Sequence, residues 1–167
     1  MTSLIRRIRS DDAAALRVIR LRALATDPLS FGSTFASEAA RDDAFWLARA
    51  TTAASGAEVA TFLAFVDDVV VGTSTIRRDE TDARTFGVFG VWVAPEARRL
   101  GIARALLASA ELFARDGGGA RLALMVTERA TAAAALYLSS GFAPTGLTEP
   151  SERDDMVETE LAKPLTC

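Results

Sequence analysis

The stretch Thr61–Asp116 constrains the fold more than any other part of the chain. Three strand-length apolar runs, Thr61–Val66, Val69–Arg77 and Thr85–Val93, are separated by short polar segments and lead into one long helical pattern. Asp67-Asp68 reads as the turn of a hairpin between the first two runs, and Arg78–Ala83 as a charged turn before the third. Ala94-Pro95 ends the third run. From Gly101 to Asp116, Ile102, Leu106, Ala110 and Phe113 recur at helical spacing. A run of antiparallel strands feeding a helix has to bury that helix against the sheet, so the segment predicts a mixed α/β domain.

The flanking segments complete that pattern. Leu4–Arg9 alternates apolar and basic residues and reads as a strand. Ser10 or Asp11 then caps a helix to Ala25 with Leu16, Ile19 and Ala23 on one face, and Thr26-Asp27-Pro28 stops it. Leu29–Ala40 reads as a mixed loop. Asp42 or Asp43 caps a further helix carrying Phe45, Trp46, Leu47 and Ala50, with Thr51–Glu58 as a surface loop. After Gly117-Gly118-Gly119 come a strand at Arg121–Val126, a helix at Thr131–Ser140 stopped by Gly141, and closing strands at Ala143–Leu147 and Met156–Leu161. No linker or repeat divides the 167 residues, so residues 1–167 are expected to form one domain.

Composition removes several chemistries. The chain has no histidine, which rules out a His base, a Ser-His-Asp triad and the usual zinc ligand sets. Its single cysteine, Cys167, forms no intrachain disulfide and no thiolate cluster, and no metal is expected. A net charge of -3 lacks the basic excess of a nucleic-acid binder. No apolar stretch reads as a signal peptide or a membrane span, so neither membrane nor nucleic acid is an expected partner, and a cytoplasmic location is the expectation.

The informative local motif is Val91-Trp92-Val93-Ala94-Pro95-Glu96-Ala97-Arg98-Arg99-Leu100-Gly101-Ile102-Ala103. A strand ends at proline, a basic turn follows, and a glycine stands at the start of a long helix. The first amides of a helix lack intrahelical partners and point outward along the positive end of the dipole. Gly101 carries no side chain to block a phosphate, Ala103 is small, and Arg98 and Arg99 add charge. On this pattern alone, a phosphate cradle and an ordinary helix start with solvated arginines are equally good readings.

The segment resembles the acetyl-CoA motif of the GNAT superfamily of N-acetyltransferases, R/Q-x-x-G-x-G/A, written here Arg98-Arg99-Leu100-Gly101-Ile102-Ala103. A second segment, Ala133-Ala134-Ala135-Leu136-Tyr137-Leu138-Ser139-Ser140-Gly141-Phe142, resembles that family's A-x-x-L-Y-x-x-x-G-F. The matches run from Val88 to Phe142. The resemblance implies a GNAT acyl-CoA N-acyltransferase fold, a mixed central sheet of about six to seven strands flanked by helices. It implies acetyl-CoA as acyl donor, with the amides from Arg99 to Arg104 around the CoA pyrophosphate and the strand end at Trp92 and Val93 pairing with the pantetheine arm. Tyr137 would protonate the CoA thiolate as it leaves. A thiol at about 8.5 and a phenol at about 10 make that transfer accessible. Phe142 is expected to fold back near Leu136 or Tyr137 if Gly141 ends the helix. The family often carries Asn seven residues before the Tyr; here that position is Ala130, with Thr127 or Thr131 as substitutes.

Arg22–Trp46 resembles the N-terminal region of many bacterial members, which implies that Arg22, Phe31, Phe35 and Glu38 lie on the acceptor side; the competing reading is that Phe31, Phe35 and Trp46 fill core, the better one for Trp46 and an equal one for Phe31. No base is evident on the strand before the cradle: Gly87, Phe89 and Val91 alternate on one face, and Val88, Gly90 and Trp92 on the other. Glu38, Asp43, Asp79 and Glu80 read as solvated surface carboxylates, so a water relay serves as well as any named side chain. The expected function is acetyl-CoA-dependent acetyl transfer to a primary amine of a small molecule or peptide by direct attack on the thioester. The alternative is a non-catalytic acyl-CoA-binding or sensing module. The acidic balance suits a cationic acceptor. The resemblance also allows a homodimer.

Overall fold

A computed structural model describes residues 2–151 and 155–166; Cys167 lies outside the described residues. The chain begins with β1 (Ser3–Arg7) and a single 3-10 turn at Ser10–Asp12, then α1 (Ala13–Thr26). Leu16, Ile19, Ala23 and Leu24 of α1 are buried, as its apolar spacing predicts. The predicted loop at 29–40 is partly helical: a turn at Pro28–Ser30 and α2 (Phe35–Ala39) occupy it. Thr34 starts α2 by accepting from the Ser37 amide at 3.1 Å. In α3 (Asp43–Ala54), Asp42 is the cap, its Oδ1 accepting from the Phe45 amide at 2.9 Å. The helix runs through Thr51–Ala54, which had read as loop.

β2 (Val59–Val66) and β3 (Val69–Arg78) form the expected hairpin. Asp67 and Asp68 both sit at positive φ, 49 and 63, the backbone a two-residue I′ turn demands. β4 (Thr85–Val93), α4 (Ile102–Asp116), β5 (Arg121–Thr127), α5 (Thr131–Ser139), β6 (Ala143–Pro150) and β7 (Val157–Pro164) follow. Gly141, at φ 94, ends α5, and the Phe142 amide returns to the Tyr137 carbonyl at 3.1 Å. Phe142 therefore packs on Tyr137, with ring centroids 5.9 Å apart.

The result is a seven-stranded mixed sheet in the order β1-β2-β3-β4-β5-β7-β6, flanked by helices. All neighbours are antiparallel except β4 and β5. The sheet's two faces can be told apart at Gly72, where an added side-chain atom would meet Leu106 of α4 at 3.3 Å. Even-numbered residues of β3 thus face α4, and Thr73, Thr75 and Arg77 face the side of α1 and α3. Trp46 is 1% exposed and fills core, as expected. Among the described residues no helix is long and apolar enough to cross a membrane.

Candidate active site

β4 and β5 pair only over Thr85–Gly87 and Arg121–Ala123. Beyond that point they separate, and Val88–Val93 and Leu124–Thr127 become the two walls of a cleft of about 890 Å³. A β-bulge helps to open it. Thr73 pairs with Trp92 and Thr75 with Phe89, so Gly90 and Val91 together face Ser74, and Gly90 adopts φ 59. The bulge breaks the simple alternation read along 87–92: Val88, Trp92 and Val93 are all buried, while Phe89 is 56% exposed in the cleft.

At one end of the cleft lies the turn into α4. Arg99 and Gly101 both take left-handed backbone, φ 65 and φ 78. None of the amides from Arg99 to Arg104 meets a backbone acceptor among the described residues, and a side-chain atom added at Gly101 would touch nothing within 4 Å. The turn therefore presents a row of donors to open space. Ile102 is buried and anchors the helix start; Ala103 lines the cleft; Leu100 is exposed. Arg104 reaches Ser139 of α5 at 3.2 Å. Arg98 has a different place from the one expected of a free phosphate-facing charge. Its Nε donates to the Val93 carbonyl at 2.9 Å and its guanidinium pairs with Asp27 at 2.8 Å. The Trp92 indole donates to the same Asp27 oxygen at 2.6 Å. Arg98 and Trp92 thus tie the end of β4 to the end of α1.

Tyr137 lines the cleft from α5 and is 8% exposed. Burial pushes its phenol up to about 12, so the hydroxyl stays protonated. Ala130, Thr127 and Thr131 also line the cleft, the Ala130 amide donating to the Thr127 carbonyl at 3.0 Å.

The acceptor-side expectations divide. Phe31 lines the cleft, with the Arg20 guanidinium 4.7 Å over its ring. Arg22 does not; it points away to a bidentate pair with Glu96 at 2.7 and 2.8 Å. Phe35 is 46% exposed outside the cleft lining. Glu38 is no solvated carboxylate: it is 8% exposed and accepts from Arg20 at 2.9 Å, from Ser33, and from Arg49 at 3.4 Å. Burial alone would push its carboxyl up, but the hydrogen bonds from Arg20 and Ser33 and the charges of Arg20 and Arg49 outweigh that and hold it below its usual range. Asp43, Asp79 and Glu80 are exposed as expected.

The depressed Glu38 carboxyl has a signed consequence. Its stabilising contribution is present above its ordinary value of 4.5 and is lost as pH falls through the lower folded value. Glu38→Gln strands Arg20 and Arg49, and is expected to cost about 1–3 kcal/mol in urea unfolding at neutral pH. The gap to wild type should narrow as the pH is lowered below that range. A gap that is constant with pH contradicts the ion-pair account.

Reading the sequence missed Arg20, Arg49, Arg77, Glu149 and Glu158, all in the cleft lining. A signal existed for the first two. Arg20 follows Leu16 by four positions and Arg49 follows Trp46 by three, so each is a charge on a buried helix face. The glutamates are brought in by strand pairing at long range, which no local pattern carries.

Comparisons with known proteins agree with this fold. A family model described as the acetyltransferase (GNAT) family matches residues 19–142. A GNAT-family acetyltransferase from Streptococcus pneumoniae superposes with a TM-score of 0.85 at 23% identity, covering 99% of this chain and 100% of that one. The YncA acetyltransferase from Salmonella typhimurium, solved with its cofactor acetyl-CoA, gives 0.80 at 21% identity over 100% and 96% of the two chains. Nourseothricin acetyltransferase is 30% identical over 65% of this chain and 66% of its own, with a TM-score of 0.58. No curated protein sequence matches the chain.

Proposed function

The chain belongs to the acetyltransferase (GNAT) family, and from that premise we propose that it transfers the acetyl group of acetyl-CoA to a primary amine of a small molecule or peptide. The observation that carries this reading is the split between β4 and β5, with free amides at one end and a buried, protonated tyrosine on its wall. The chain works as one domain over residues 1–167.

The residues present fit the CoA group. The amides from Arg99 to Arg104 meet no backbone acceptor among the described residues, a side-chain atom at Gly101 would touch nothing within 4 Å, and Arg99 and Arg104 add positive charge. Arg98 contributes by fixing the strand end rather than by facing phosphate. β4 at Val91–Val93 and β5 at Leu124–Val126 face each other across the split without strand pairing between them; the Val93 carbonyl is taken by Arg98, and the edge groups left over suit the amides of the pantetheine arm. A related structure holding acetyl-CoA supports the assignment.

Acetyl-CoA supplies a thioester, an acyl group open to attack by an amine. As the amine nitrogen bonds to the carbonyl carbon and the carbon–sulfur bond breaks, the nitrogen loses a proton to solvent water, Tyr137 delivers its hydroxyl proton to the sulfur, and solvent reprotonates the phenolate. The burial that raises the phenol acts in the same direction on a thiolate formed beside it, which keeps donor and acceptor matched. Direct attack of the amine needs no covalent enzyme intermediate, so the remaining catalysis is positioning along the strand edges.

The retained proton is testable. With kcat followed against pH, no fall from Tyr137 ionisation is expected up to at least about pH 10, the ordinary phenol value. A falling limb centred well below that contradicts the buried, neutral tyrosine.

A further inference from the structure

The cleft is rich in arginine on one side and carries Glu149 and Glu158, with Arg129 near them, on the other, and the sheet register shows where the strand residues stand. Arg77 on β3 lies opposite Gly87 on β4, and Gly87 is in register with Ala123 on β5. Stepping by twos, Met125 and Thr127 share that face. Thr127 pairs with Glu158 on β7, and Glu158 pairs with Glu149 on β6. Arg77 and the two glutamates therefore occupy one face of the sheet on either side of the β4–β5 split, and all line the same cleft.

The arginine side has an excess of positive charge. Arg20 and Arg49 share the single carboxylate of Glu38, the Arg49 contact being the longer at 3.4 Å. Arg77 is exposed and makes no salt bridge among the described residues. Burial, then the like charge of Arg20, push the Arg49 guanidinium down from its ordinary value; Glu38 offsets this in part, and Arg77 adds to it. Two guanidiniums sharing one carboxylate, with the Arg77 charge felt at Arg49, form an incomplete set that an anion completes. The exposed ring of Phe89 and the half-buried ring of Phe31 beneath Arg20 supply apolar surface nearby. The net charge of -3 pointed to a cationic acceptor, but the local field on this side has the opposite sign.

We propose that the acceptor is a small amine bearing an anionic group, an amino-acid-like zwitterion, whose anion docks on Arg49 and Arg77 while its amine lies toward Glu149 and Glu158. This rests on the acetyltransferase reading for its chemistry but not for its binding geometry. The shared chemistry, an amine and an anion on one small molecule, is met by a free amino acid or by a phosphonate or sulfonate analogue.

The test uses the full chain, acetyl-CoA and matched acceptors: a panel of amino acids, their carboxamides, their decarboxylated amines and aminoalkyl phosphonates, with thiol release as the readout. At least one acid or phosphonate is expected to exceed its amide and amine partners by about tenfold or more in kcat/KM. R77Q and R49Q should each shrink that ratio, chiefly through KM. In parallel, calorimetry with CoA present compares N-acetyl amino acids with N-acetyl amines, which reads the anion site without turnover. Tighter binding of the acids, lost in R77Q, supports the site even if no amine is acetylated, in which case the transferase reading alone falls. Turnover of amides and amines as fast as acids, or equal binding of both product classes, overturns the zwitterion assignment and leaves the transferase reading standing.

Discussion

Tyr137→Phe is expected to lower kcat by about 10²–10⁴-fold while leaving CoA affinity near that of the wild type. The substitution removes one oxygen and keeps the ring, so the contact with Phe142 at 5.9 Å between centroids survives. The main-chain bond from Phe142 back to residue 137 is also untouched. A purely structural tyrosine predicts no such loss: with the ring retained, rate, stability and CoA affinity would all stay near those of the wild type. Single-turnover acetyl transfer and calorimetric CoA titration on the same variant separate the two.

Gly101→Val is expected to weaken CoA binding by at least about a hundredfold. Two effects act together. At φ 78 a β-branched residue sits in left-handed backbone, at a cost of about 1–2 kcal/mol, and relief of that strain turns the row of amides away. The new side chain also enters the space that is empty before the turn. Gly118→Val provides a matched control: it too has positive φ, 75, and open space around it, but lies at the far end of α4. The control should lose comparable stability and keep its CoA affinity. Equal loss of affinity in both variants would reduce the Gly101 effect to general destabilisation.

Local chemistry carried the parts of this molecule that were legible in the sequence. Asp67-Asp68 sets a tight turn, Asp42 caps α3, and Gly101 and Gly141 take the backbone that other residues avoid. Each is decided within a few residues, and each was readable. Tyr137 was placed through resemblance, and its packing against Phe142 follows from the glycine between them. The acceptor side was read less well. Arg22 and Phe35 belong to the right segment but point out of the cleft, while Arg20, two positions before Arg22, points in. Helix phase decides between them: at about 3.6 residues per turn Arg20 lies about 40° and Arg22 about 120° around the axis from Leu16, which stands at the middle of the buried face formed with Ile19, Ala23 and Leu24. α2 was missed because its five residues have too little periodicity to stand out, leaving only the Thr34 cap as a signal. The β4–β5 split, the bulge at Gly90 and the meeting of Arg77 with Glu149 and Glu158 are products of strand register. Register depends on partners far apart in the chain, and no window of sequence contains it.

The central claim is that this cleft moves an acetyl group from CoA to an amine. Its most direct test is to incubate the chain with acetyl-CoA and an amine panel, quantifying free CoA thiol and N-acetylated product in the same reaction. Amine-dependent thiol release is expected, matched mole for mole by N-acetyl product and collapsing in Tyr137→Phe. Tight CoA binding with no amine-dependent thiol release across the panel would contradict it and mark the chain as a binding module.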